Sequence, residues 1–259
     1  RDLKPVEVFK DQVPPHLLLS YIMASATFPG FQPTRIGSRS FIDGGLYDNC
    51  PMHLLVSRGH TDIIAVRIFG PGIFRLPKDK NVRVRVLEPS ESLGPIMNFD
   101  PSVSARNLRM GYYDARRMLE NLAGHLYYVR RPAEDWAFPR FCALSSQDIG
   151  EALRLLGEEG ENPSLRALFE RILPQIAHEL EVPDSADYTG LLIAMLENRA
   201  QRAQIHRFAI YSLTDFFRLA SAASAPPPSR PLGLLPTARS RATEASDFLL
   251  TRLLADFHN

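Results

Sequence analysis

Two cysteines, Cys50 and Cys142, are all that 259 residues contain. They lie far apart and outside any paired spacing, which excludes a disulfide framework and a cysteine-based zinc site. Lysine is nearly absent as well, present only at Lys4, Lys10, Lys78 and Lys80. The other basic side chains are arginines, as a GC-rich coding sequence would give. A net charge of +1 supplies no bulk field for nucleic acid. No run of 18 apolar residues occurs, so no transmembrane helix is expected. His16, His53, His60, His125, His178, His206 and His258 are scattered without metal-ligand spacing or an adjacent paired carboxylate, and no metal or organic cofactor is expected. No Gly-x-Ser-x-Gly occurs anywhere, which excludes a serine elbow of that pattern within these residues.

What is present suffices for a real core, since 45% of the residues are hydrophobic. Pro5 to Lys10 alternates apolar and polar side chains and reads as a short strand. Pro14-Pro15 opens a helix bearing Leu18 and Ile22 on one face, which must stop near Phe28 because Pro29 disfavours helical geometry before it. Arg39 to Ile42 reads as a strand and Pro51 to Arg58 as a short helix. Asp62 to Phe69 is an almost continuous apolar run, the pattern of a strand covered on both faces in a parallel sheet. Val82 to Leu87 alternates valine with arginine and reads as an edge or half-exposed strand. Strand, helix and strand at this spacing predict an α/β layered core. Asp100-Pro101 is a helix start with its cap, and Leu108, Tyr112, Ala115, Leu119 and Leu122 form one stripe along the helix that follows. His125 to Arg131 is a last short strand.

From about Arg140 the pattern becomes helix without strand. Asn162-Pro163 starts a helix with Leu165, Leu168, Ile172, Ile176 and Leu180 at helical spacing, which Pro174 should kink. Residues 187–219 read as one long or two abutting helices. Residues 221–237, rich in Ala, Ser and Pro, read as a linker, and 238–259 as an amphipathic helix with Leu249, Leu250, Leu253, Leu254 and Phe257. Phe216-Phe217-Arg218 and that last helix suit a membrane surface or, as is commoner, packing into the protein's own core.

The densest signal lies in residues 24–51. Ala24-Ser25 ends a helix, Pro29 and the Phe31-Gln32-Pro33 turn follow, and Phe41-Ile42 leads into Asp43-Gly44-Gly45, with Asn49-Cys50-Pro51 close behind. Taken alone, Asp-Gly between apolar runs is a hairpin signal, with Phe41-Ile42 and Leu46-Tyr47 as its strands. The surrounding residues change that reading: the whole window resembles, position by position, the second catalytic block of the patatin-like phospholipases. Asn107 to Asp114 is similar to a segment found downstream of that block in bacterial members. The resemblance implies a three-layer α/β/α patatin-like core, incomplete at the N-terminus, followed by a mainly helical region. The expected organisation is 1–132 as the C-terminal part of the patatin-like domain, 133–220 as a helical extension, 221–237 as a linker and 238–259 as a C-terminal helix.

The resemblance further implies a lipid acyl hydrolase working through a Ser–Asp dyad and an acyl-enzyme, with Asp43 as general base and a phospholipid or other lipid ester as substrate. A serine hydroxyl needs a base to take its proton. Here a carboxylate would do so directly, from a rigid strand end, with Gly44 and Gly45 allowing close backbone approach. Asn49 is expected to cap the helix that Pro51 begins. Asp48 lacks the Gly-Gly context. Ser25 and Ser40 sit in no elbow motif, so the nucleophile and its oxyanion loop are expected upstream of Arg1 and this chain alone should not turn over. The expected location is cytoplasmic or membrane-peripheral. A non-catalytic interaction module and a lipid acyltransferase are the alternatives.

Overall fold

The computed structural model describes residues 4–70, 72–96, 98–158, 162–228 and 237–257. The chain divides into two compact units, Arg1–Val103 and Ser104–Asn259. The architecture is mixed α/β with a helical C-terminal region, and among the described residues each sheet is two strands wide.

In the first unit, a 3-10 turn at Pro15–Leu17 leads into α1, Leu18–Ser25. Thr27 closes that helix by donating its hydroxyl to the Met23 carbonyl at 2.7 Å. A hairpin follows, β1 (Thr34–Ile36) antiparallel to β2 (Arg39–Phe41). Its tight turn needs a left-handed residue, which Gly37 supplies at φ +60°. The hairpin is therefore at Gly37, and Asp43-Gly44 opens a 3-10 turn instead. α2, Met52–Ser57, then leads to β3 (Asp62–Val66) and its parallel partner β4 (Arg83–Leu87). Met52, Ile63 and Ala65 form a small core against Val56, Phe74 and Val84.

Two secondary-structure expectations fail in this unit. Pro5 to Phe9 carries no strand; it is held to α2 by Glu7 on His53 at 2.7 Å and by the Arg58 guanidinium, which stacks 3.7 Å over Phe9 and bonds Asp11. And β3 is covered on one face only: Ile64 and Val66 are exposed, Val66 by 60%, because among the described residues only Ile63 and Ala65 meet an apolar layer.

α3 runs over Pro101–Glu120, and its Asp100 cap forms as the sequence predicts, Oδ1 accepting the amides of Ser102 (2.7 Å) and Val103 (3.3 Å). Its orientation departs from the expectation for most of the stripe, although Leu122 just beyond the helix is buried. Leu108 and Leu119 are 77% and 63% exposed, while Met110 and Asp114 are buried. The polar face turns inward because it finds partners there: Asp114 accepts the Tyr128 hydroxyl at 2.9 Å, and the Arg117 guanidinium lies 4.5 Å over the Tyr128 ring.

The second unit continues with β5 (Tyr128–Arg130), α4 (Phe138–Cys142), α5 (Ser146–Leu156) and α6 (Leu165–Ala167). A π-turn at Leu168–Ile172 joins α6 to α7, Leu173–Glu179. Pro174 shows itself as this change of helical register, which a missing N–H and a crowding ring demand. α8 (Tyr188–Arg202) and α9 (Leu213–Ala222) are separated by β6, Ile210–Ser212, which pairs parallel with β5. So the expectations of one long or two abutting helices over 187–219, and of no strand beyond Arg140, are corrected: three residues between the two helices find a partner strand distant in sequence. α10 spans Ala238–Phe257. Part of the expected linker, 229–236, lies outside the described residues. Phe216, Phe217, Leu249 and Leu250 are fully buried in one core with Phe141, Ile149 and Leu192, so these apolar side chains pack within the protein. No helix among the described residues is long and apolar enough to cross a membrane.

Glu197, on α8, is a polar keystone of this unit. It is 6% exposed, and its carboxylate accepts the backbone amides of His125 (2.9 and 3.0 Å), Leu126 (2.9 Å) and Tyr127 (2.7 Å). Burial pushes its carboxyl above the ordinary range, opposed by those amides and by the Arg117 charge. Glu197→Ala is expected to lower unfolding stability by roughly 3 kcal/mol, because three amides lose their acceptor. Folding raises this pKa, so the carboxyl favours the fold most below its ordinary value of 4.5, and that contribution is lost as pH rises towards the folded value. Glu197→Gln should remove this pH dependence. Thermal melts of the three proteins from pH 4 to 8 check both expectations.

Candidate active site

Asp43 follows β2 directly, with its backbone fixed before its side chain acts. Its amide donates to the Thr27 carbonyl at 2.8 Å, tying the residue to the end of α1. Thr27 is itself held by its hydroxyl contact with Thr34, 2.7 Å. Asp43 Oδ1 accepts the Gly45 amide at 2.7 Å and so caps the 3-10 turn Gly44–Leu46. One carboxylate oxygen is thereby oriented, and among the described residues no hydrogen bond reaches Oδ2. The side chain is half-buried. No serine hydroxyl among the described residues hydrogen-bonds it; Ser25 ends α1 and Ser40 lies in β2, both exposed.

The two glycines differ. A Cβ on Gly44 would meet open space, whereas one on Gly45 would stand 3.1 Å from both Asp43 Oδ1 and Asn49 Oδ1. Asn49 does not cap α2: the N-cap is Pro51, without a side-chain bond. It instead fastens the loop after β3, its amide donating to the Ile73 carbonyl at 2.9 Å and Nδ2 to the Gly70 carbonyl at 3.3 Å. That loop closes on the Asp-Gly-Gly turn so tightly that a Cβ on Gly72, at φ +129°, would lie 2.0 Å from the Gly45 carbonyl oxygen. Next to it, Phe69 holds a left-handed backbone at φ +52°, unusual for a bulky residue and typical of over-determined functional loops.

A second group assembles beside Asp43 that sequence reasoning missed. Asp48, almost fully buried, accepts the Cys50 amide at 3.1 Å and meets His53 Nδ1 at 3.3 Å and Arg75 Nη1 at 3.8 Å. His53 Nε2 lies 2.7 Å from Glu7 Oε1. His53 thus has two carboxylate neighbours, contrary to the expectation of none. Asp48 lies only five residues away across a helix start, a usable signal; Glu7 is far off in sequence and gives none. Burial and the Asp48 carboxylate both push the Cys50 thiol up, so it stays protonated at neutral pH and is no nucleophile. Among the described residues no cluster of three His, Cys, Asp or Glu side chains is placed to hold a metal.

The Asp43 arrangement is a carboxylate with one oxygen held by a backbone amide and, among the described residues, no hydrogen bond on the other. Residues 3–56 match the family model described as Patatin-like phospholipase. No curated protein and no solved structure matches the chain. The match takes in the end of α1, the β1–β2 hairpin, Asp43, both glycines, Asn49 and most of α2. Residues 3–56 are thus similar to part of a patatin-like phospholipase domain.

Proposed function

We propose that Asp43 is the general base of a carboxylic ester hydrolase acting on phospholipids or related lipids, and that its serine partner comes from a segment upstream of Arg1. The observation that carries this reading is the carboxylate itself: Oδ1 held by the Gly45 amide, Oδ2 without a hydrogen bond among the described residues, within the segment that matches the family. The serine oxygen would have to stand about 2.6–3.2 Å from Oδ2. Oδ2 takes the hydroxyl proton as the serine oxygen bonds to the ester carbonyl carbon. Collapse of the adduct breaks the ester C–O bond, and the departing alcohol oxygen takes that proton. Water, deprotonated by the same carboxylate, then releases the fatty acid and restores the serine. Asn49 and Gly72 position the turn that carries Asp43. No cofactor enters this sequence.

Two exposed apolar surfaces support a larger fold around these units: Ile64 and Val66 on β3 in one, and Leu108, Tyr112 and Leu119 on α3 in the other. Without the serine, the 259 residues do not turn over; losing such a nucleophile costs on the order of a million-fold in kcat. The test is fatty-acid release from phosphatidylcholine vesicles by the gene product extended upstream of Arg1, beside this chain. Release by the extended product alone supports the reading; release by neither, with both folded, overturns it. Transfer of the acyl group to an added alcohol in preference to water would make the protein an acyltransferase.

A further inference from the structure

The second unit carries a groove of about 870 Å³ between α7 and α8, within the range of small-molecule sites. Its floor and walls are apolar: Leu173 and Leu191 are buried at the bottom, with Ala177 and Val182 beside them. Phe169 and Tyr188 form an aromatic wall, edge to face with ring centroids 5.1 Å apart. Phe138 backs both rings, at 5.3 and 5.5 Å. Phe169 belongs to the π-turn Leu168–Ile172, the kind of register change that recurs at functional sites because it redirects a side chain.

The rim is mainly acidic. Glu181, Asp184 and Asp187 line it together with His178, and no lysine or arginine does. Arg239 pairs with Glu181 at 3.0 Å and Arg131 with Asp187, both from outside the groove. Asp184 has no ion pair among the described residues. An apolar trough ending in aromatic faces and an unmatched carboxylate selects a positive charge on a hydrophobic body: the carboxylate attracts it, and the ring faces add a cation–π contact.

We propose that this groove binds a small amphiphile with an apolar tail and a cationic ammonium head. The site is independent of the Asp43 chemistry, and Asp43→Asn should leave it unchanged. Octyltrimethylammonium and octyl sulfate share a tail and differ in head charge, so titration calorimetry of this chain with each, below their micelle concentrations, separates head from tail. The ammonium should bind about tenfold tighter at low salt, with the difference shrinking as salt screens the rim. Asp184→Lys, at an exposed loop position, should cut that preference to about threefold or less. Ala177→Trp, which fills the trough, should abolish binding of the ammonium probe; Phe169→Leu, a milder change, should weaken it. Equal affinity for the two heads, no binding of either, or ammonium binding untouched by both Ala177→Trp and Phe169→Leu would overturn the proposal.

Discussion

Asp43→Asn, introduced into the upstream-extended gene product, is expected to cut kcat/KM for phospholipid ester hydrolysis by about 10⁴-fold while the fold survives. The substitution separates chemistry from structure. An asparagine Oδ1 still accepts the Gly45 amide, a bond of 2.7 Å in the native side chain, so the 3-10 turn Gly44–Leu46 keeps its cap. The other end of the group becomes an NH₂, which cannot take a proton from a serine hydroxyl. Asp48→Asn is the internal control. Asp48 is the more buried of the two and faces His53 and Arg75, so its loss should lower stability and leave most of the turnover. Steady-state kinetics with thermal melts of the three proteins decide the matter; collapse in Asp48→Asn with survival in Asp43→Asn would transfer the role to Asp48.

The second large effect concerns a residue remote in sequence from the Asp-Gly-Gly block. Gly72→Ala is expected to destabilise the loop after β3 by roughly 3 kcal/mol, the sum of a left-handed penalty and a backbone collision. The added Cβ would sit 2.0 Å from the Gly45 carbonyl oxygen and 2.9 Å from its carbon. Neither atom belongs to a side chain that can rotate away. Either Gly45 moves, and Asp43 loses its amide donor, or the loop lifts, and Asn49 loses the Ile73 and Gly70 carbonyls. Gly44→Ala meets nothing within 4 Å and should change stability by about 0.5 kcal/mol or less. Hydrogen exchange at the Gly45 and Asn49 amides reads the difference: protection lost in Gly72→Ala and kept in Gly44→Ala. Protection equal in the two variants would mean that the loop does not hold the turn.

These two residues also mark how far the sequence can be read. Local signals carried well where the physics is local. The Asp100-Pro101 cap, the stop at Pro29, α2 and the Leu249–Leu250–Leu253 face of α10 depend on neighbours within a turn or two. The patatin-like character of the window around Asp43 was legible, as the match over residues 3–56 bears out, although the local Asp-Gly pattern argued for a hairpin. The actual hairpin formed at Gly37, and the Asp43 side chain capped its own turn.

What depended on distant partners was not legible. β6 is three residues long and exists because β5 lies beside it, so nothing near Ile210 announces it. Leu108, Tyr112 and Leu119 of the α3 stripe pointed outward because Asp114 and Arg117 have Tyr128 to meet inside, a preference no periodicity reveals. Glu197 is spaced like any helical glutamate until the amides of His125, Leu126 and Tyr127 converge on it. Asn49 was assigned to the helix it precedes, and it reached for carbonyls more than twenty residues downstream instead. The groove beside Phe169 followed from a π-turn that Pro174 hinted at only as a kink.

The most direct test of the central claim is covalent labelling of the upstream-extended gene product with a fluorophosphonate, which reacts far faster with an activated serine than with an ordinary one. The account predicts labelling of one serine outside residues 1–259 in the native protein, and its loss in Asp43→Asn with that serine still present. Equal labelling in the two proteins would contradict it, because the serine would then be activated by something other than Asp43.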